Sequence, residues 1–157
     1  ENMARKTVKK AAKKAAPKTA KKAAAKKAPA KKSARRAVAR PAALRRIDAG
    51  PRMSDAVIHD GRVFLAGLVA DATKGGSVFE QTKEILSMID DVLKQAGTDK
   101  TRILSTNIWL ADISTFAEMN KAWDAWVVPG QTPARATVES KLAGPEYKVE
   151  IMVTAAL

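Results

Sequence analysis

Arg135 and Glu150 are the residues whose types and settings best suit chemistry on a small molecule. Arg135 stands in Pro133-Ala134-Arg135-Ala136-Thr137-Val138 and Glu150 in Lys148-Val149-Glu150-Ile151, both inside runs rich in small and β-branched residues. Such runs read as strands, Ala134 to Leu142 and Tyr147 to Ala155, separated by Gly144-Pro145. A guanidinium fixed on a strand presents a planar fork that grips a carboxylate through two parallel hydrogen bonds, which Lys does not reproduce. A nearby carboxylate can hold a water and move a proton. Alternation is expected to put Arg135 and Thr137 on one face with Glu150 and Met152. Ala134, Ala136 and Val138 are then expected under the helices with Val149, Ile151 and Val153. The plainer account of the Arg135–Glu150 pair is a salt bridge at a subunit boundary.

The elements that must position these residues follow from periodicity. Leu44 to Asp48 suits a first strand. Ser54 to His59 and Arg62 to Val69 read as two strands joined at Asp60-Gly61, a turn pair that tolerates positive φ at both positions. Ser77 and Glu80 form a capping box, and Val78, Thr82, Ile85, Leu86, Ile89, Val92, Leu93 and Ala96 keep a helical stripe until Gly97 ends it. Ile103 to Ala111 is a strand. Thr115 and Glu118 make a second capping box, opening a helix with Phe116, Met119, Trp123 and Trp126 that Pro129-Gly130 closes. The order β-β-β-α-β-α-β-β implies an α+β fold, one sheet with both helices on one face. The other face is expected to carry Phe64, Ala66, Leu68 and Trp109, an apolar surface most economically covered by another copy of the chain.

Composition divides the 157 residues in two. Residues 1–46 hold 18 of the 29 basic residues, 16 Ala, 3 Pro and a single acid, Glu1, for a charge of +17. Residues 47–157 hold 11 basic and 15 acidic residues and all seven aromatics. A segment without aromatic residues and with that charge cannot bury enough apolar surface to fold alone, so 1–43 is expected to be a disordered tail and 44–157 the domain. Such a tail suits a polyanion, nucleic acid foremost, bound through charge and without reading sequence. With no Cys and one His, a thiolate zinc site and a multi-histidine metal site are excluded, and no obvious Ser-His-Asp triad is expected. There is no apolar run of about 18 residues for a transmembrane segment and no secretory leader pattern, which points to the cytoplasm, with the nucleoid as a destination for the tail. His59 beside the hairpin turn reads as an edge residue, and Lys74-Gly75-Gly76-Ser77 lacks the spacing of a phosphate loop.

Five stretches taken together resemble the RidA/YjgF family of enamine/imine deaminases in order and spacing. They are Gly50-Pro51-Arg52-Met53-Ser54-Asp55-Ala56-Val57, Val63-Phe64-Leu65-Ala66-Gly67, Phe116-Ala117-Glu118-Met119-Asn120, Pro133 to Val138, and Lys148 to Ile151. The resemblance covers 44–157. It implies a chorismate-mutase-like fold, a homotrimer whose sheets line a barrel, and sites at subunit boundaries. It implies hydrolysis of reactive imines such as 2-iminobutanoate and 2-iminopropanoate to 2-keto acids and ammonia, with no cofactor and no metal. By position, Arg135 matches the carboxylate-binding arginine, Glu150 the acid that positions water, Asn120 an asparagine near the site, and Thr137 a small polar or Cys position. Where an aromatic is common stands Met53, aligned from Ser54, or Arg52, aligned from Gly50-Pro51. Ala66-Gly67-Leu68 replaces Ser-Gly-Gln, so Ala66 lacks a hydroxyl on the pocket wall. The competing functions are a nucleic-acid-binding hub without catalysis and an endoribonuclease, the latter poorly served by one His and no clustered carboxylates.

Overall fold

The computed structural model describes residues 43–157; most of the polybasic tail, and so its expected nucleic-acid interface, lies outside the described residues. Nine regular elements follow one another: β1 (Arg45–Ala49), β2 (Ser54–His59), β3 (Arg62–Leu65), β4 (Leu68–Val69), α1 (Val78–Ala96), β5 (Ile103–Leu110), α2 (Phe116–Trp126), β6 (Ala134–Glu139) and β7 (Val149–Ala156). The strands form one mixed sheet in the order β1-β2-β3-β7-β5-β6, with β4 also pairing β7. Only β5 and β6 run parallel among these pairs. Among the described residues no helix is long and apolar enough to cross a membrane.

Local chemistry accounts for the frame. Asp60 and Gly61 both take positive φ, 47° and 70°, closing the turn between His59 and Arg62. Ser77 accepts from the Glu80 amide while the Glu80 carboxylate accepts from the Ser77 amide, so two orphan donors of α1 are satisfied reciprocally. Gly97 ends that helix at φ 93°, its amide donating to the Leu93 and Lys94 carbonyls. The stripe between these caps is buried: Ile85, Ile89 and Leu93 are fully covered together with Ile108, Leu110, Val149, Ile151 and Val153 of the central strands. Each such side chain contributes about 1.5–3 kcal/mol. Both helices lie on this inner face.

The loop leading into α1 is tied down by one carboxylate. Glu84 accepts from the Asp71, Ala72 and Thr73 amides at 3.0, 2.9 and 2.7 Å, and from the Thr73 hydroxyl at 2.6 Å. That hydroxyl bond, with the amide bonds behind it, holds the Glu84 carboxyl below its ordinary pKa.

Four expectations need correction. The strand expected over Arg62–Val69 is broken: Leu65 and Leu68 both face the core, and Ala66-Gly67 step out between β3 and β4. Leu68 therefore leaves the open face to sit opposite Ile151. The last two strands are shorter than expected, β6 ending at Glu139 and β7 starting at Val149. The second capping box does not form. Thr115 makes no side-chain cap, and Glu118 instead accepts from the Phe79 amide at 3.0 Å, capping the neighbouring helix.

The fourth correction concerns the faces, and it changes the site. Thr106, Ile108 and Leu110 of β5 stand opposite Val153, Ile151 and Val149 on one side, and opposite Arg135, Thr137 and Glu139 on the other. Directly opposed residues share a face, so Arg135 and Thr137 point to the helix side of the sheet. Ala134, Ala136 and Val138 stand opposite Ser105, Asn107 and Trp109, which in turn face Thr154, Met152 and Glu150. Ala134, Ala136 and Val138 therefore lie on the open face with Glu150, the reverse of the expected sorting. The reason is topological: β5 lies between β6 and β7, and β6 is an edge strand whose small residues do not mark a buried face.

Candidate functional site

On the helix side, α2 builds a seat for Arg135. Phe116, Asn120 and Trp123 fall at i, i+4 and i+7 and so share one face of the helix. Asn120 Oδ1 accepts from Arg135 Nη1 at 2.9 Å. The guanidinium carbon lies 5.0 Å from the centre of the Trp123 ring and 5.8 Å from that of Phe116. Two ring faces and an amide oxygen attract a cation without cancelling its charge. Among the described residues the ion pair is Lys100–Asp90 at 3.1 Å, and Arg135 has no carboxylate within salt-bridge distance. Arg135 and Glu150 form no bridge within the protomer.

Beside this cation lie two hydroxyls. Thr106, opposite Arg135 in register, and Thr137, two residues along its strand, each bury a hydroxyl that makes no hydrogen bond within the protomer. An unpaired buried hydroxyl costs about 1–3 kcal/mol. A shallow groove over the paired β5 and β6 is lined by Ser105, Asn107, Ala134 and Ala136 of the open face together with Thr106 and Arg135.

The second group of expected residues is on the other face. Glu150 sits in a cross-strand row with Val69 on one side and Trp109 then Val138 on the other. Its carboxylate passes over Gly67: a Cβ added there would fall 2.0 Å from Glu150 Oε1. Ala66, next to it, donates its amide to the Asp55 carbonyl at 2.9 Å. Met53, two residues before Asp55, is 55% exposed and lines a depression with Asp48, Arg52 and Asp55.

The six expected site residues are therefore not brought together within the protomer: Arg135, Asn120 and Thr137 lie on the helix side, and Glu150 and Ala66 on the open face with Met53 at its margin. Trp123, Phe116, Thr106 and Gly67 adjoin them and were not singled out from the sequence for these roles. Helical spacing made Trp123 look like core, which at 5% exposure it also is. Gly67 carried a readable signal, since a glycine within a strand pattern marks a bulge or a close approach.

The open face also keeps apolar groups in water. Val138, at the end of the Glu150 row, is 48% exposed, and Phe64, opposite Thr154 of β7, is 44% exposed.

A single mixed sheet under two helices, with an arginine seated on the second helix and a carboxylate over a strand break, defines an α+β domain. The chain belongs to the RidA/YjgF family, its residues 43–157 matching the family model described as Endoribonuclease L-PSP. The RutC family protein YoaB of Escherichia coli K12 is 48% identical over 112 residues, 71% of this chain and 96% of that protein. The crystal structure of a YjgF-family member from Neisseria meningitidis, 44% identical, covers 74% of this chain and 97% of its own with a TM-score of 0.72. More distantly, the rat 2-iminobutanoate/2-iminopropanoate deaminase is 31% identical over 103 residues, 62% of this chain and 74% of that protein.

Proposed function

We propose that the domain hydrolyses reactive 2-imino acids, and the enamines in equilibrium with them, to 2-keto acids and ammonia, at sites that two protomers build jointly. The observation that carries this is the un-neutralised Arg135 guanidinium, held by Asn120 and two aromatic rings with its other edge free. That edge takes the substrate carboxylate bidentately and fixes the adjacent C=N carbon. Water adds to that carbon while the nitrogen takes a proton. Collapse of the resulting carbinolamine breaks the C–N bond and releases ammonia. Glu150 positions the water and moves the proton. An imine is already electrophilic, so positioning suffices.

Arg135 and Glu150 lie on opposite faces of one sheet, so they meet around one ligand only if a second copy brings its open face to the first copy's Arg135 edge. The same packing covers Phe64 and Val138. A cyclic trimer satisfies this for every protomer at once. The name of the rat relative supports the substrate class. The test is ammonia and keto-acid release from a freshly generated amino-acid enamine: wild type accelerates it and Arg135→Ala does not. Equal rates would leave the hub without catalysis as the better account.

For residues 1–43 we propose a polyanion-binding arm, supported by the +17 charge of residues 1–46. Three arms on one particle raise the effective concentration at nucleic acid. Full-length protein should bind DNA with a steep salt dependence that residues 44–157 lack; salt-insensitive binding by the truncated form refutes the arm.

A further inference from the structure

Between the two helices lies a groove that the seat of Arg135 does not use. Phe79, Lys83, Leu86 and Asp90 fall at i, i+4, i+7 and i+11 of α1 and share one face of it, a stretch roughly 16 Å long. Against them stand Ala122, Ala125 and Trp126 of α2, whereas Phe116, Asn120 and Trp123 of that helix turn to Arg135. The groove holds about 410 Å³, near the lower end of the roughly 300–1,000 Å³ common for small-ligand sites. A helix about 10 Å across would leave most of its surface outside it.

The floor is apolar and the rim is cationic. Asp90 is the acid in its wall and Glu118 stands at one end beside Phe79, and both are engaged. Asp90 Oδ2 accepts from Lys100 Nζ at 3.1 Å and from Trp126 Nε1 at 2.9 Å, while Glu118 takes the Phe79 amide at 3.0 Å. Among the described residues Lys83 and Lys121 make no ion pair. Lys121 lies instead over the Phe79 ring, 5.3 Å from its centre, which attracts the ammonium group without neutralising it. Two positive charges thus stand uncompensated beside apolar surface. We propose that this groove is a second binding site, for compact organic anions with an aromatic body and a carboxylate or sulfonate head. Lys83 and Lys121 take the head, and the body is removed from water against Phe79, Leu86 and Ala125.

Calorimetric titration of naphthalene-2-sulfonate into the full-length protein tests this, with methanesulfonate, a head without a body, as the control for the lysine-rich tail. Wild type should bind one naphthalene-2-sulfonate per protomer with a Kd below about 1 mM, and methanesulfonate should not saturate in that range. The double variant Lys83→Gln, Lys121→Gln should bind roughly three- to tenfold more weakly. Ala125→Glu puts a like charge at an exposed helix position that glutamate suits, so it should keep the fold and weaken binding at least about tenfold. Arg135→Ala should bind as wild type does. Failure of wild type to saturate, saturation by methanesulfonate, or undiminished binding by Ala125→Glu overturns the proposal. Loss of binding in Arg135→Ala also overturns it, assigning the anion to the site already described and leaving imine hydrolysis standing. Sedimentation showing Ala125→Glu to be a smaller particle than wild type gives the groove to a second copy of the chain and overturns it equally.

Discussion

Gly67→Ala probes the open face around Glu150 without replacing a charged group. The added Cβ would meet Glu150 Oε1 at 2.0 Å, Cδ at 3.0 Å and Cγ at 3.3 Å. Every clash is with one flexible side chain and none with backbone, so the carboxylate yields and the strand break holds. To reach ordinary van der Waals contact the carboxylate oxygen must retreat by roughly 1.5 Å. The φ of Gly67 is not in the left-handed region, so alanine brings no backbone strain, and the melting temperature should move by no more than a few degrees. A displacement of about 1 Å in a group that positions a reactant can cost on the order of a hundredfold in rate. The variant should therefore lose roughly ten- to a hundredfold in kcat for imine hydrolysis. Keto-acid affinity should change little, because the carboxylate-binding guanidinium belongs to the other face. Steady-state kinetics with calorimetry of a bound keto acid checks both halves. An unchanged kcat refutes the role given to Glu150, and a collapse of keto-acid affinity refutes its separation from Arg135.

Three further outcomes follow from the geometry. Arg135→Lys keeps the charge and loses the fork, so kcat/KM should fall roughly a hundredfold, mostly through KM, with folding unchanged because the residue is exposed; a lysine variant within twofold of wild type contradicts bidentate capture. Asn120→Ala frees the guanidinium edge and should raise KM about three- to tenfold at nearly constant kcat, and a pure kcat effect would contradict a positioning role. Glu84→Gln should cost about 1–2 kcal/mol at neutral pH, read as a lowered denaturation midpoint. Because the folded-state pKa of Glu84 lies below its unfolded value, its contribution is complete above the ordinary carboxylate range and is lost as pH falls through the folded value. The stability gap between wild type and Glu84→Gln should narrow below about pH 4, and a gap that widens there would contradict the assignment.

Elements set by local chemistry were legible in the sequence. Asp60-Gly61, the Ser77/Glu80 box and Gly97 each act within a few residues, and each stands where the sequence puts it. What depends on distant partners was not. Glu118 has the spacing of a capping box but finds the Phe79 amide of the other helix, a contact that no local pattern encodes. The faces of β6 and β7 were sorted as if the strands were neighbours, whereas the intervening β5 sets both registers. A period of two assigns residues to alternate sides but not to a named side, so the place of β5 between β6 and β7 reversed the outcome for Arg135. The candidate site residues were named through the family resemblance. Their placement on the two faces of the sheet is a property of topology.

Division of the site between protomers is tested most directly by mixing inactive variants. Arg135→Ala and Glu150→Gln should each be nearly inactive alone. Unfolded together and refolded as mixed cyclic assemblies, they should regain about a quarter of the wild-type site count, since one boundary in four then pairs an intact Arg135 with an intact Glu150. A mixture as inactive as its parents, from protein shown to have exchanged subunits, would contradict a shared site.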